Sequence, residues 1–158
     1  MAPNDTIGAP ALEHVADLDV RVAAPTEIGA TAAGMRRVIA ITGGTVAGPR
    51  LSGRILPGGA DYQIIRSDGV AELHARYVIA TDAQELIYVE NSGLRHGPAE
   101  AMARITRGET VDPALIYCRT TPRFETAAPG LQWLVRDLFV ASVARFPDRV
   151  AISVWRVA

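Results

Sequence analysis

Lysine is absent from this 158-residue chain, so all 16 of its basic residues are arginine. An anion bound by this protein therefore meets planar, bidentate guanidinium groups rather than compact ammonium charges. Aspartate and glutamate number 17, for a formal net charge of −1, and no stretch concentrates positive charge. Nucleic-acid binding needs such a concentration, so no nucleic-acid partner is expected. Cysteine is almost as scarce. Cys118 stands alone, which excludes a disulfide framework and a Cys-based zinc site, and it reads as a small buried strand residue rather than a thiol nucleophile. The three histidines, His14, His74 and His96, lack metal-ligand spacing, so no metal is expected, although His74 shares a strand face with Glu72. No apolar run approaches the ~20 residues of a membrane-spanning helix. The opening MAPNDTIGAP has neither a basic nor an apolar leader region. The expected setting is the cytoplasm, without membrane association.

Hydrophobic residues make up 49% of the chain, enough at this length for one domain with one sizeable core. Turn signals recur at short intervals: Thr42-Gly43-Gly44, Pro57-Gly58-Gly59, Ser67-Asp68-Gly69, Asn91-Ser92-Gly93, Pro129-Gly130 and Pro147-Asp148. Between them lie segments rich in β-branched and aromatic residues, among them RRVIAIT, DYQIIRS, ELHARYVIAT, ELIYVEN, ALIYCRTT, LQWLVRDLFVASVARF and RVAISVWRVA. This spacing predicts an all-β fold of about eight to nine antiparallel strands, in a sandwich or a barrel. One segment has another character. Around Gly97 to Glu109, Pro98 stands where a helix begins and Gly108 where it ends, so one short helix is expected to plug or flank the barrel. Residues 1–10 read as a loose N-terminal segment and 11–158 as a single barrel domain.

Strand alternation sorts the side chains by face. Glu72, His74, Arg76 and Val78 share one side and Leu73, Ala75, Tyr77 and Ile79 the other. Leu86, Tyr88 and Glu90 oppose Ile87, Val89 and Asn91; Tyr117, Arg119 and Thr121 oppose Ile116, Cys118 and Thr120. The mixed polar faces are either the wet outside of the barrel or the lining of an arginine-rich lumen. The glycine-rich TGGTVAGPRLSG lacks the lysine and strand–loop–helix setting of a phosphate loop. Its glycines read as a hairpin and as points where strands bend at a barrel corner. Pro57-Gly58-Gly59 reads as a bend that sends Asp61 and Gln63 to one face and Tyr62 and Ile64 to the other.

The series ITGGTVAGPRLSG, LPGGADYQ, DGVAELHARYVIATD, YCRTTPRFET and a later WLV, in that order, resembles a family of small single-domain bacterial and fungal proteins catalogued as domain of unknown function 3237. The resemblance covers nearly the whole chain from about Leu12. It implies a closed antiparallel barrel with an internal pocket. It also implies chemistry without a cofactor, since some relatives are decarboxylases of aromatic acids derived from lignin dimers. Asp61 matches the Asp after Gly-Gly-Ala, Arg76 the arginine of Ala-Arg-Tyr, and Arg119 that of Arg-Thr. Phe124 and Glu125 match Phe-Glu-Thr, and Trp133 matches the Trp of Trp-Leu-Asn. Val135 departs from the Asn of that last motif, which implies a more apolar pocket there if the Asn is a pocket residue in relatives.

A lyase of this kind needs a cation for the substrate carboxylate, an electron sink within the substrate, and a proton carrier. Arg76 or Arg119 is the candidate for the first and Asp61 or His74 for the third, His74 standing where the family commonly has an acid; Arg76–Asp61 is alternatively a structural ion pair. Tyr88 and Tyr117 would hydrogen-bond a phenolate, and Phe124 and Trp133 would pack on a ring, with Glu125 also at the substrate. The expected partner is a small aromatic or hydrophobic carboxylic acid of the phenylcoumaran type. The other readings are a lipocalin-like barrel that binds such an acid without catalysis, and a cofactor-free isomerase or cyclase. Apolar residues on both faces of the last two strand segments point to a homodimer.

Overall fold

The computed structural model describes residues 7–158; the first six residues of the expected loose segment lie outside the described part, and residues 7–11 precede the first strand and are exposed. Among the described residues ten strands form one antiparallel sheet that closes on itself: β1 (Leu12–Val22), β2 (Thr26–Thr31), β3 (Gly34–Ala47), β4 (Gly53–Ile55), β5 (Gly59–Ile65), β6 (Ala71–Thr81), β7 (Leu86–His96), β8 (Tyr117–Thr126), β9 (Leu138–Arg145) and β10 (Arg149–Val157). The wall runs β1, β10, β9, β8, β7, β6, then through β4 and β5 to β3, which pairs back onto β1. This is the expected closed barrel, of eight strands with two additional ones.

The long strand β3 explains the additional strands. Its first half pairs with β2 and β5, and its second half with β1 and β4. The change of partners occurs at Gly43 and Gly44, whose φ values of 149° and 151° are rarely adopted by residues with a side chain. A Cβ on Gly44 would also overlap the Asp19 carbonyl. The expected hairpin at this glycine pair is therefore a corner within one continuous strand.

Both ends of the barrel are stopped with apolar side chains. At one end Ile79, Ile87 and Val89, each fully buried, meet Phe124 and Phe139, whose rings cross edge-on at 5.1 Å. The short helix α2 (Trp133–Arg136) seats Leu134 there and leaves Trp133 half-buried against Phe139, with the Arg50 guanidinium 3.9 Å from its ring centre. The sequence pattern places Trp133 on a strand running to Phe146. The chain instead turns at Pro129, where Gln132 donates to the Thr126 and Ala128 carbonyls, and becomes extended only from Asp137. At the other end the expected helix is α1 (Ala99–Thr106), with Pro98 at its N-cap and Gly108 (φ 80°) just past its end. Its Met102, together with Ile116, packs on Ala71, Leu73 and Cys118.

The density of the first plug sets the cost of a void. Ile79→Ala, at a side chain fully removed from solvent, should lower stability by about 2–5 kcal/mol, read from the urea midpoint.

The wall is uneven. β6–β7 and β7–β8 are each paired along ten residues, whereas β8 and β9 pair only at Arg119↔Ser142 and Thr120↔Ala141.

Candidate functional site

Which parity of each strand faces inwards decides where chemistry can occur. On β6 the inward side is the apolar one, Leu73, Ala75, Tyr77 and Ile79, so Glu72, His74 and Arg76 stand on the outer surface. On β8 Cys118, Thr120 and Phe124 point inwards, and Tyr117, Arg119 and Glu125 outwards. Of the residues expected at the site, Asp61 alone lines the lumen. Phe124 is packed in the plug and Trp133 lies beside it. The expected Arg76–Asp61 pair does not form. The Nε of Arg76 donates instead to His74 Nε2 at 3.2 Å and lies 3.5 Å from Glu90. Val135 is exposed on α2 and takes no part in the lumen, so the replacement of an Asn there does not make that space more apolar.

The outer group is self-contained. His74 Nε2 accepts from Arg76, so Nδ1 carries the proton and donates to Ser92 Oγ at 3.1 Å, and Tyr88 donates to Glu90 at 3.1 Å. In this arrangement His74 has no lone pair left to take a proton from Ser92. His74, Arg76 and Ser92 border an open groove of about 730 Å³, which is larger than the lumen space. Size is a poor guide here, because the groove's polar atoms already have partners or water.

The lumen is different. Six buried side-chain atoms have no hydrogen-bond partner among the described residues: Arg37 Nε, Gln63 Oε1, Asn91 Oδ1, Arg95 Nε, Thr120 Oγ and Arg145 Nη1. All but Arg37 belong to residues lining one internal cavity, whose remaining wall is largely Val20, Ile39, Ile41, Tyr77, Val150 and Ile152. Orphaned buried polar atoms are rare and costly, and here they converge. Each comes from the apolar face of its strand: Arg37 follows the parity of Ile39 and Ile41, Asn91 and Arg95 that of Ile87 and Val89, and Arg145 that of Phe139, Ala141 and Val143.

The charges in this space are unbalanced. Arg37, at the edge of the group, pairs with Glu27 at 3.2 Å, but Arg95 and Arg145 make no ion pair among the described residues. Burial draws the Arg95 guanidinium below its ordinary range, with the like charge of Arg37 acting in the same direction against Cys118 and Asp61. Burial, then Arg95 and Arg37, pulls Arg145 down to about 10. Asp61 is the carboxylate facing them. It accepts from the backbone N–H of His74 at 2.9 Å and from Gln63 Nε2 at 2.7 Å. Cys118, below the cavity, has its thiol pushed up to about 11 by burial, against the pull of Arg95, which disqualifies it as a nucleophile near neutral pH. No group of three or more metal-ligating side chains occurs among the described residues.

The cavity encloses about 50 Å³, room for roughly four waters at ~10–15 Å³ each. Arg145, Val22 and Val150 are only half-buried, which puts its mouth beside the β9–β10 turn.

This fold is shared with solved proteins. The family described as "Protein of unknown function (DUF3237)" matches residues 10–157. The chain belongs to the DUF3237 family. A UPF0311 protein of Rhodopseudomonas palustris strain TIE-1 is 48% identical over 150 residues, spanning 94% of this chain and 98% of that one. A crystal structure of a Rhodopseudomonas palustris protein matches with a TM-score of 0.91 at 46% identity over all of both chains, and one from Clostridium acetobutylicum with 0.88 at 38% identity over 96% and 99%. The DUF3237 match therefore takes in every wall of the barrel and both plugs. The glycines of the DUF3237 markers have structural work: a Cβ on Gly59 would strike the Arg76 carbonyl and Tyr77, so glycine there lets β5 lie close to β6 two residues before Asp61.

Arg37, Gln63, Asn91, Arg95, Thr120 and Arg145 are not among the residues that the sequence alone marks as the site. Their signal in the sequence takes a different form, as polar residues interrupting an otherwise apolar strand face.

Proposed function

We propose that the lumen binds an organic carboxylate and that the protein is a lyase acting by acid–base and arginine electrostatics, in the first instance a decarboxylase of an aromatic carboxylic acid. One observation carries this reading: buried Arg95 and half-buried Arg145 face a largely apolar cavity and make no ion pair among the described residues, with Asp61 the one carboxylate opposite them. A bound anion would supply what they lack, and the isoleucine and valine wall would suit the body of the acid. The cavity volume of about 50 Å³ is well short of the ~150 Å³ that takes up benzene in an engineered apolar cavity, so the lumen as it stands takes the carboxylate end of such an acid, and a ring enters only where Arg145, Val22 and Val150 give way at the mouth.

In decarboxylation the bond between the substrate carbon and its carboxyl carbon breaks and carbon dioxide leaves. The electron pair stays on the substrate, where it is protonated at carbon or expels a neighbouring oxygen. Only interactions that strengthen as that charge moves accelerate the step. Guanidinium groups therefore help most where the departing pair arrives, and in this reading Asp61, which lines the lumen and accepts two hydrogen bonds, would carry the proton. A pocket that merely carried the acid would satisfy the same arginines, and product mass separates the two readings.

The test is incubation with a panel of aromatic acids, following carbon dioxide release and product mass for the wild type, Arg145→Met, Asp61→Asn and the outer-wall variants Arg76→Ala and Arg119→Ala. The reading expects loss of turnover by two orders of magnitude or more in the first two variants and near-wild-type rates in the outer pair. Stabilisation by an acid that is returned unchanged supports the carrier reading instead. Full activity in Arg145→Met would overturn the lumen as the site.

A further inference from the structure

The unsatisfied atoms of the lumen are of two opposite kinds, and a plain carboxylate answers only one of them. Arg95 Nε and Arg145 Nη1 lack acceptors, and a carboxylate supplies those. Gln63 Oε1 lacks a donor. Its orientation is fixed, because Nε2 of the same amide donates to Asp61 Oδ2 at 2.7 Å; rotating the amide would set its oxygen against a carboxylate. The side chain is 2% exposed, so bulk water does not reach it. Asn91 Oδ1, on a residue 4% exposed, and the Thr120 hydroxyl add further unmet capacity in the same space.

We propose that the ligand of this site is a compact hydroxy acid, whose carboxylate lies between Arg95 and Arg145 and whose hydroxyl donates to Gln63 Oε1, making Gln63 the residue that reads the hydroxyl. This rests on the carboxylate-binding reading above and narrows it. The electrostatics select among donors. An ammonium group would enter a space that already holds Arg95 and Arg145 with Arg37 at its edge, where like charge is costly. A second carboxylate would bring more acceptors towards Gln63 Oε1 and Asp61, which already are acceptors. A neutral O–H meets neither objection. Sites that hydrogen-bond a ligand hydroxyl also discriminate strongly against the analogue without it, because the buried partner is then left unpaired.

Calorimetric titration of the full chain with acetate, glycolate, propionate, lactate and malonate, acids on the scale of the cavity, tests this without any variant. Glycolate or lactate should bind about tenfold or more tighter than acetate or propionate, and malonate more weakly than either. Gln63→Met, which keeps the length of the side chain and removes the acceptor, should abolish the hydroxyl preference while acetate and propionate still bind. Should that variant not fold, Gln63→Leu, titrated in the same way, should likewise lose the preference. Equal binding of the acids with and without the hydroxyl would mean that a trapped water serves Gln63, and would overturn the hydroxy-acid assignment while leaving the carboxylate site standing. Tightest binding by malonate would overturn it equally. No binding by any of the five would overturn the carboxylate reading itself.

Discussion

Arg95→Met should raise the melting temperature of the ligand-free protein. Arg95 is 4% exposed, has no ion-pair partner among the described residues, and shares its surroundings with two other guanidinium groups. Removing a charge of this kind in favour of an apolar side chain of similar length is worth about 1–4 kcal/mol in comparable buried settings. For a chain of this size that is a rise of roughly 2–4 °C per kcal/mol. The pH dependence agrees in sign. Burial draws the Arg145 guanidinium in the folded protein down to about 10, below its ordinary value. Between those values the unfolded chain holds more protons than the folded one, so the contribution of this group to stability rises with pH across that window. Below about pH 10 the cost of keeping the folded group charged is present in full. At neutral pH the wild type therefore carries the whole burden, and Arg145→Met should relieve a smaller share than Arg95→Met because its side chain is only half-buried. Scanning calorimetry with and without the bound acid supplies the complementary reading: the acid should stabilise the wild type and not Arg95→Met. An Arg95→Met protein that melts below the wild type without ligand would show that Arg95 is held by partners of its own.

Gly93→Ala should have the largest effect on the fold, a loss of about 3 kcal/mol or more, with poor recovery of soluble protein. Gly93 sits opposite Thr120 across the β7–β8 pair. A Cβ there would meet the Arg119 carbonyl and approach the Thr120 Cα to 2.6 Å. Both obstacles are backbone, so no side-chain rotation relieves the overlap and β8 itself must shift. That displacement would carry Cys118 and Thr120 out of the lumen wall and strain the two residue pairs that join β8 to β9. Gly69→Ala is the control. Gly69 has a φ of 86°, but a methyl group added to its Cα would have no neighbour within 4 Å. Only backbone strain is then incurred, about 1 kcal/mol. Urea titration of the two variants should therefore separate a steric requirement for glycine from a conformational one.

Much of this architecture is legible in the sequence. Turn residues at regular spacing set the strand count, and Pro98 with Gly108 brackets α1. The short helix α2 is not legible, because LQWLV is as apolar as the strand that follows it and no capping side chain announces it. Period-two alternation correctly separates the faces of β6, β7 and β8. What alternation lacks is a sign: it says that His74 and Arg76 share a side, not that the side is wet. Closure of the sheet supplies the sign, since only one side of each strand can be inside. The site escapes a sequence reading for the same reason. Residues such as Arg76 and Arg119 draw attention because they cluster with other polar groups, whereas a charge in water has little need of explanation. Arg95 and Asn91, isolated among Ile87 and Val89, are the costly placements.

The sparse pairing of β8 with β9 has a consequence for how the ring behaves as an object. A cylinder whose staves are bonded along ten residues at two neighbouring seams and along two at another is closed in topology but clasped in mechanics. Thr120 belongs both to that clasp and to the lumen lining. A load on the clasp thus falls on a residue of the lumen lining itself, because Thr120 serves both.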